Sequence, residues 1–256
     1  MPRWIAVSRS QHAQKNYQPR ERYHFAANQP VANVLLAELS KLVPHYALGF
    51  VEHGESYQPI ALLSLDGHTN LYVHTDGRWL STYVPAAMRG FPFTLANNKE
   101  GKQVLAIDQE HLSKEWGTPL FGEDGSLNEP VEQTLNFLQQ CEQNRQVTAA
   151  ATQKLAEAGV IESWPLELNT GEGQEPLPVN GLYRINEQAL NGLEAQAYAE
   201  LRGGPMALAY AQLFSMSQLN QLTERAKVRE RHAEQNKPVD LDELFGEEDD
   251  DLSFNF

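Results

Sequence analysis

Residues 46–74 read YALGFVEHGESYQPIALLSLDGHTNLYVH, and this stretch decides the fold class. It contains three short strand-like runs, at 46–51, 59–65 and 70–74. Turn signals divide them, Asp66-Gly67 and Asp76-Gly77 being the clearest. The second run is almost wholly apolar and belongs in the interior of a sheet. The third alternates Leu71 and Val73 against Tyr72 and His74, as a half-buried strand does. A fourth apolar run, 103–107, ends at Asp108.

Helical signals flank these runs. In VANVLLAELSKLV, residues 31–43, the spacing puts Leu35, Leu36, Leu39, Leu42 and Val43 on one side of a short helix that Pro44 ends. Residues 111–128, with Gly117, Pro119, Gly122 and Gly125, read as an ordered loop. Asn128 then caps a helix with Glu129, Pro130 and Glu132 in its first turn, which runs to Leu155 with Gly159 as its C-cap. Residues 169–178 carry Gly171, Gly173, Pro176 and Pro178, and form either a hairpin tip or a seam between two lobes. Residues 179–185 predict a strand and Asn186-Glu187 a helix start. After Gly203-Gly204-Pro205, one more helix follows Met206, Ala209, Leu213, Met216 and Leu219.

The reading is an α+β fold: a small, mostly antiparallel or mixed sheet in the N-terminal half, a helical C-terminal half and a disordered acidic tail. Residues 1–222 form the folded part. Residues 223–239, highly charged in both signs, form a solvated helix end or linker, and 240–256 the tail. That tail, DLDELFGEEDDDLSFNF, holds eight acidic residues and no basic one. It accounts for −8 of a net charge of −14, leaving −6 for residues 1–239. Leucine and phenylalanine alternate with the acids, and the chain closes on Phe254 and Phe256. That mixture suits a basic groove with an apolar pocket and points to a protein or peptide partner. The alternative is a fold-back onto the basic lead, where Arg3, Arg9, Lys15, Arg20 and Arg22 stand against Glu21 alone.

Several function classes drop out. No basic stripe follows residue 24, so nucleic acid is not an expected partner. No run reaches the roughly 18 apolar residues of a membrane span. One cysteine, Cys141, excludes an internal disulfide framework, and the expected location is the cytoplasm. GxxxxGK[ST], GxSxG and an early GxGxxG are missing, and Gly171-Glu172-Gly173 is flanked by glutamates that would repel phosphate. No cofactor is expected.

His74-Thr75-Asp76 has the spacing of two ligands of an iron facial triad, with His111 or His232 needed as the third, but Asp76-Gly77 is equally a plain turn. The five earlier histidines lack metal-site spacing. Cys141, mid-helix beside an apolar stripe, reads as a core residue. The richest block is 76–93, DGRWLSTYVPAAMRGFPF. There Trp79, Tyr83, Phe91 and Phe93 surround Arg78 and Arg89, the residue types that anchor protein interfaces and equally those of a core with structural arginines. The binding residues expected are Arg78, Trp79, Tyr83, Arg89, Phe91 and Phe93, with Phe254 and Phe256 in the tail. No catalytic or metal residue is expected, and homo-oligomerisation stays open.

At this block the chain resembles the SapC family of bacterial proteins, over most of residues 11–222. The similarity takes in His24-Phe25-Ala26, the apolar run at 59–65, Asn70-Leu71-Tyr72-Val73, Asp76-Gly77-Arg78-Trp79, Tyr83-Val84-Pro85-Ala86, Arg89 and Phe91-Pro92-Phe93. It continues through Asp108, Gly117, Leu120-Phe121, Phe137-Leu138, Gly181-Leu182-Tyr183 and the block from Tyr210 to Ser215. The resemblance implies a link to surface-layer protein secretion or assembly, not the similarly named membrane permease of peptide transport; the missing catalytic constellation, the aromatic-arginine block and the tail make the expected function that of a non-enzymatic accessory protein binding a protein or peptide. Relatives encoded beside halogenase-like and oxygenase-like proteins imply the alternative, an enzyme or enzyme subunit in oxidative peptide or protein modification. The family pattern often has an acidic residue where this chain has His74, so the His-Thr-Asp pair does not resemble a family site. The tail lies outside the resemblance. It is similar in kind to the acidic, phenylalanine-ended tail of bacterial single-stranded DNA-binding proteins, which recruits partners.

Overall fold

The run at 59–65 is apolar because its strand has neighbours on both sides. A computed structural model describes residues 2–54, 56–98, 100–168 and 177–235. Its main strands are β1 (Trp4–Ala6), β2 (Val31–Asn33), β3 (Leu48–His53), β4 (Ser56–Leu62), β5 (Phe93–Asn97), β6 (Gln103–Asp108), β7 (Ile161–Ser163) and β8 (Leu182–Ile185). Its long helices are α1 (Glu129–Glu157), α2 (Gly204–Ser215) and α3 (Leu219–Gln235). A five-stranded sheet runs in the order β7-β8-β3-β4-β2, and a three-stranded sheet in the order β1-β6-β5. Every pairing in both is antiparallel. β3 and β4 pair from Leu48 opposite Ala61 to His53 opposite Ser56, with β2 on the far edge of β4. β8, from beyond residue 177, joins β3 by pairing Leu182 with Val51.

Each sheet covers its own core. The larger gathers Phe50, Ile60, Leu63, Tyr46, Tyr72 and Leu155, and the smaller Tyr17, Phe93, Ile107, Leu120 and Val131. α1 joins the two. Val131, with Leu135 and Leu138, packs on the smaller core, and Ala151 with Leu155 on the larger side. Buried Gln212 on α2 fastens this layer to the large sheet. Its Oε1 accepts from Ile185 N at 2.9 Å and its Nε2 donates to Leu48 O at 3.2 Å. Among the described residues, no helix is long and apolar enough to cross a membrane.

Three sequence expectations need correction. Residues 31–43 are not one helix: β2 is followed by a 3-10 turn, Leu36–Glu38, and a four-residue helix, Leu39–Leu42. Tertiary partners override the local pattern here. Val31 and Ala32 pair with β4, while Thr148 and Asn144 of α1 accept the Leu36 and Ala37 N–H groups at 3.0 and 3.1 Å. Residues 70–74 form no strand, because only Val73 bridges, and it bridges to Trp79 in a loop folded on itself. The last helix stops at Ser215, and a 3-10 turn at Met216–Gln218 leads into α3. The segment 169–176 and the tail from residue 236 lie outside the described residues.

Candidate functional site

The loop of residues 70–80 walls one side of a groove, and its shape follows from what pins it. Asn70 is fully buried; its Nδ2 donates to Ala26 O at 3.0 Å and its Oδ1 accepts from Tyr72 N at 2.9 Å. At the tip Gly77 N donates to His74 O, and Leu80 N returns to Tyr72 O at 2.7 Å. Gly77 sits at φ 80°, tight against the His24 and Arg22 side chains, and its carbonyl accepts from Tyr23 N at 2.7 Å. Behind the wall, Trp79 Nε1 donates to the Tyr46 hydroxyl at 2.8 Å, which donates in turn to Tyr83 O, while Tyr72 donates to His45 O at 2.8 Å. Burial pushes the Tyr46 phenol up to about 12 and raises that of Tyr72 as well. Both stay neutral donors at physiological pH.

α3 forms the opposite wall. The Arg225 guanidinium lies 4.5 Å above the Tyr72 ring and donates to Leu80 O at 3.0 Å. Arg229 donates to Asn70 O at 3.3 Å and reaches toward Val73 O. The cavity between the walls has a volume of about 570 Å3. Leu71, Val73, Leu80 and Val228 make it mainly apolar, and His74, Thr75, Glu224, Arg225 and Arg229 rim it. Leu80 and Val228 remain 40% and 43% exposed. Glu224 is paired with Lys227 Nζ at 2.9 Å, so the two arginines dominate the charge of the lip.

A second recess, about 600 Å3, is far more polar and lies where Arg20, Arg22 and His24 meet Asp108 and His111. Phe25 and Phe91 stack face to face there at 3.9 Å. Asp108 is buried, accepts from Arg3 N at 3.0 Å and lies 3.4 Å from His111 Nδ1. Arg20 also donates to Met88 O and Arg89 O at 2.9 and 2.8 Å, closing the helix Ala86–Arg89.

The residues singled out in the sequence therefore separate. Trp79 backs the groove wall. Arg78 is exposed and holds Asp76 at 2.7 Å. Tyr83 donates to the buried Glu38 carboxylate at 2.9 Å and accepts from Arg89, whose guanidinium lies over Phe137. Glu38 also accepts from Ala86 N at 2.8 Å and Leu35 N at 3.2 Å. Burial raises its pKa, against the pull of those donors and of Arg89. Phe91 lines the polar recess, and Phe93 is core, packed edge-on to Tyr17. Phe254 and Phe256 lie outside the described residues.

His74 and Asp76 do meet, at 3.0 Å, within a turn. The Arg78 backbone N–H, then its guanidinium and His74, hold the Asp76 carboxyl well below the usual carboxylate range. His111 belongs to the other recess, and the His232 side chain lies outside the described ones. Among the described residues no group of three or more His, Cys, Asp or Glu could hold a metal ion. Cys141 is half-buried rather than core, and burial raises its thiol.

Arg225, Val228 and Arg229 are absent from the sequence reading, which takes 223–239 as a solvated helix end or linker. The signal was their spacing: Leu222, Arg225 and Arg229 recur at one-turn intervals, and arginine stems cover apolar surface while the heads stay polar. Compared with known proteins, the chain matches the family model described as SapC over residues 7–222. No curated protein and no solved structure matches it.

Proposed function

The chain belongs to the SapC family, and on that premise we propose that it is a non-enzymatic accessory protein. It binds a protein or peptide segment in the groove between residues 70–80 and α3, in the service of surface-layer protein secretion or assembly. The observation that carries this reading is the groove's construction. It has an apolar floor, exposed Leu80 and Val228 at its mouth, and two guanidiniums fixed at the lip by backbone carbonyls. Such a surface recognises a short apolar segment with adjoining carboxylates. The side chains enter the cleft, and the acids meet arginines already oriented, so little ordering entropy opposes binding.

The test is photo-crosslinking in cells, with a photoreactive residue replacing Thr75 in the full chain. The expected adduct is a protein whose cross-linked segment, mapped by mass spectrometry, holds leucine or phenylalanine beside aspartate or glutamate. Adducts no more abundant than those from the exposed helix position Gln153, or segments lacking that chemistry, refute the reading.

A further inference from the structure

We propose that the polar recess beside the basic lead is a second binding site, for a free α-amino acid with an aromatic or bulky apolar side chain. It is separate from the groove, since no residue lines both cavities. Local geometry builds it. β6 ends at Asp108, whose buried carboxylate accepts from Arg3 N, and the 3-10 turn Gln109–His111 brings the imidazole back beside that carboxylate. Gln18 N donates to His111 O at 2.9 Å and ties the lead to this turn. Phe91 meets the His111 ring edge to face at 4.8 Å and fixes its plane.

His111 supplies an acceptor. Its Nδ1 is buried, 3.4 Å from Asp108 Oδ2 and without a hydrogen-bond partner. A carboxylate in that place selects the tautomer with its proton on Nδ1, which leaves Nε2 as an acceptor. Among the described residues Nε2 has no partner, and it is not buried. Long contacts such as that between Nδ1 and Asp108 tighten when a ligand engages the far side of the pair.

Arg20 supplies a fixed cation. Its Nη1 donates to Met88 O, Arg89 O and Phe91 O at 2.9, 2.8 and 3.4 Å, and its guanidinium lies 4.6 Å over the Tyr23 ring. Among the described residues the Nε and Nη2 donors stay uncommitted, and together they form an edge that matches a carboxylate bidentately. Charge then decides the ligand class. Arg20 and Arg22 share the recess with Glu21, Asp108 and Glu110, so a bare anion meets more carboxylates than arginines. A zwitterion answers both signs. Its carboxylate takes the Arg20 edge beside Arg22, and its ammonium donates to His111 Nε2 and Glu110. The stacked pair Phe25 and Phe91 gives its side chain an apolar wall.

Isothermal titration calorimetry of the full chain with free phenylalanine, near neutral pH, tests this. Saturable binding is expected. N-acetylphenylalanine lacks the ammonium and phenylalaninamide the carboxylate, so each should bind at least about tenfold more weakly. Arg20→Gln would also release the helix Ala86–Arg89, so the recess is tested at the exposed positions Arg22 and Glu110. Arg22→Gln and Glu110→Gln should each weaken phenylalanine by about threefold, the scale of an exposed charge pair, with the melting temperature unchanged. No saturation below ~10 mM phenylalanine overturns the proposal. So does either blocked derivative binding as tightly as phenylalanine, or inorganic phosphate binding more tightly, which would make the recess a plain anion site. Phenylalanine binding that survives both substitutions lies elsewhere on the molecule and overturns it equally.

Discussion

Glu38→Gln isolates the buried carboxylate that ties the wall segment to α1's neighbours. Glu38 receives three donors: Leu35 N on one oxygen, Tyr83 Oη and Ala86 N on the other. An amide has the same shape but only one acceptor oxygen. If that oxygen faces Leu35, the NH2 meets Ala86 N–H; if it faces Ala86, the NH2 meets Leu35 N–H. Tyr83 can rotate and accept, but a backbone N–H cannot, so either orientation strands one buried donor at a cost of about 1–3 kcal/mol. With a urea m-value of about 3 kcal/mol/M, the midpoint at neutral pH should drop by roughly 0.3–1 M with m unchanged.

The pH dependence adds a sign. Burial raises this carboxyl in the folded state, so the folded protein holds its proton more tightly than the unfolded chain. Its contribution is complete below the ordinary carboxylate value of about 4.3 and is lost as pH rises through the raised folded value. Glutamine does not titrate, and the other carboxylates cancel in the difference. The gap between parent and variant should therefore widen on acidification from neutral. A variant as stable as its parent at neutral pH would refute the assignment of Glu38 as a buried, donor-saturated carboxylate, and a gap that narrows toward acid would mean that the three donors outweigh burial.

Two further substitutions test the elements that position the groove. In Gly77→Ala the new Cβ would lie 2.5 Å from His24 Nε2 and 2.8 Å from Arg22 Cβ, at φ 80°. It should cost about 2 kcal/mol or more, and limited proteolysis should cut the lead around Tyr23 faster; unchanged cleavage would count against the packed tip. Gln212→Leu keeps the volume but orphans Ile185 N–H and Leu48 C=O between β8 and β3. A loss of about 2–4 kcal/mol in urea unfolding is expected, and a neutral result would mean the side chain does not bridge those strands.

What was legible in the sequence depended on how local each signal was. α1 carried its start and stop within its own residues, Asn128 and Pro130 at one end and Gly159 at the other; it spans Glu129–Glu157, two residues past the expected Leu155, and Asn128 holds the N-cap position without a side-chain capping bond. β4 announced its interior position through an almost wholly apolar run, although its hydrogen bonding begins and ends earlier than that run. Residues 31–43 misled because Val31 and Ala32 fit a strand once β4 lies beside them, and leucine spacing cannot report a neighbour distant in sequence. Asn70 shows why 70–74 is no strand: its side chain replaces ladder bonds with bonds to Ala26 and Tyr72. In the 76–93 block, composition flagged the right region but not the division of labour. Phe93 and Phe91 face different surroundings although one residue, Pro92, separates them. The site's charge came from α3, where alternating signs concealed a face that packs.

The two walls of the groove have different standing in the chain, and that bears on how partners are chosen. The loop of residues 70–80 and its backing, Tyr46, Tyr72 and Trp79, fall inside the family match, whereas Arg225, Val228 and Arg229 come just after its end at residue 222. The backing is a closed network in which each phenol and the indole N–H is committed to a neighbour, so it supplies stiffness and apolar surface. Charge enters from α3, and beyond α3 the same stretch of chain continues into the acidic tail. Arg225→Glu and Arg229→Glu together should therefore shift the segments cross-linked from position 75 away from acidic ones, and an unchanged set of adducts would mean that the lip does not select them.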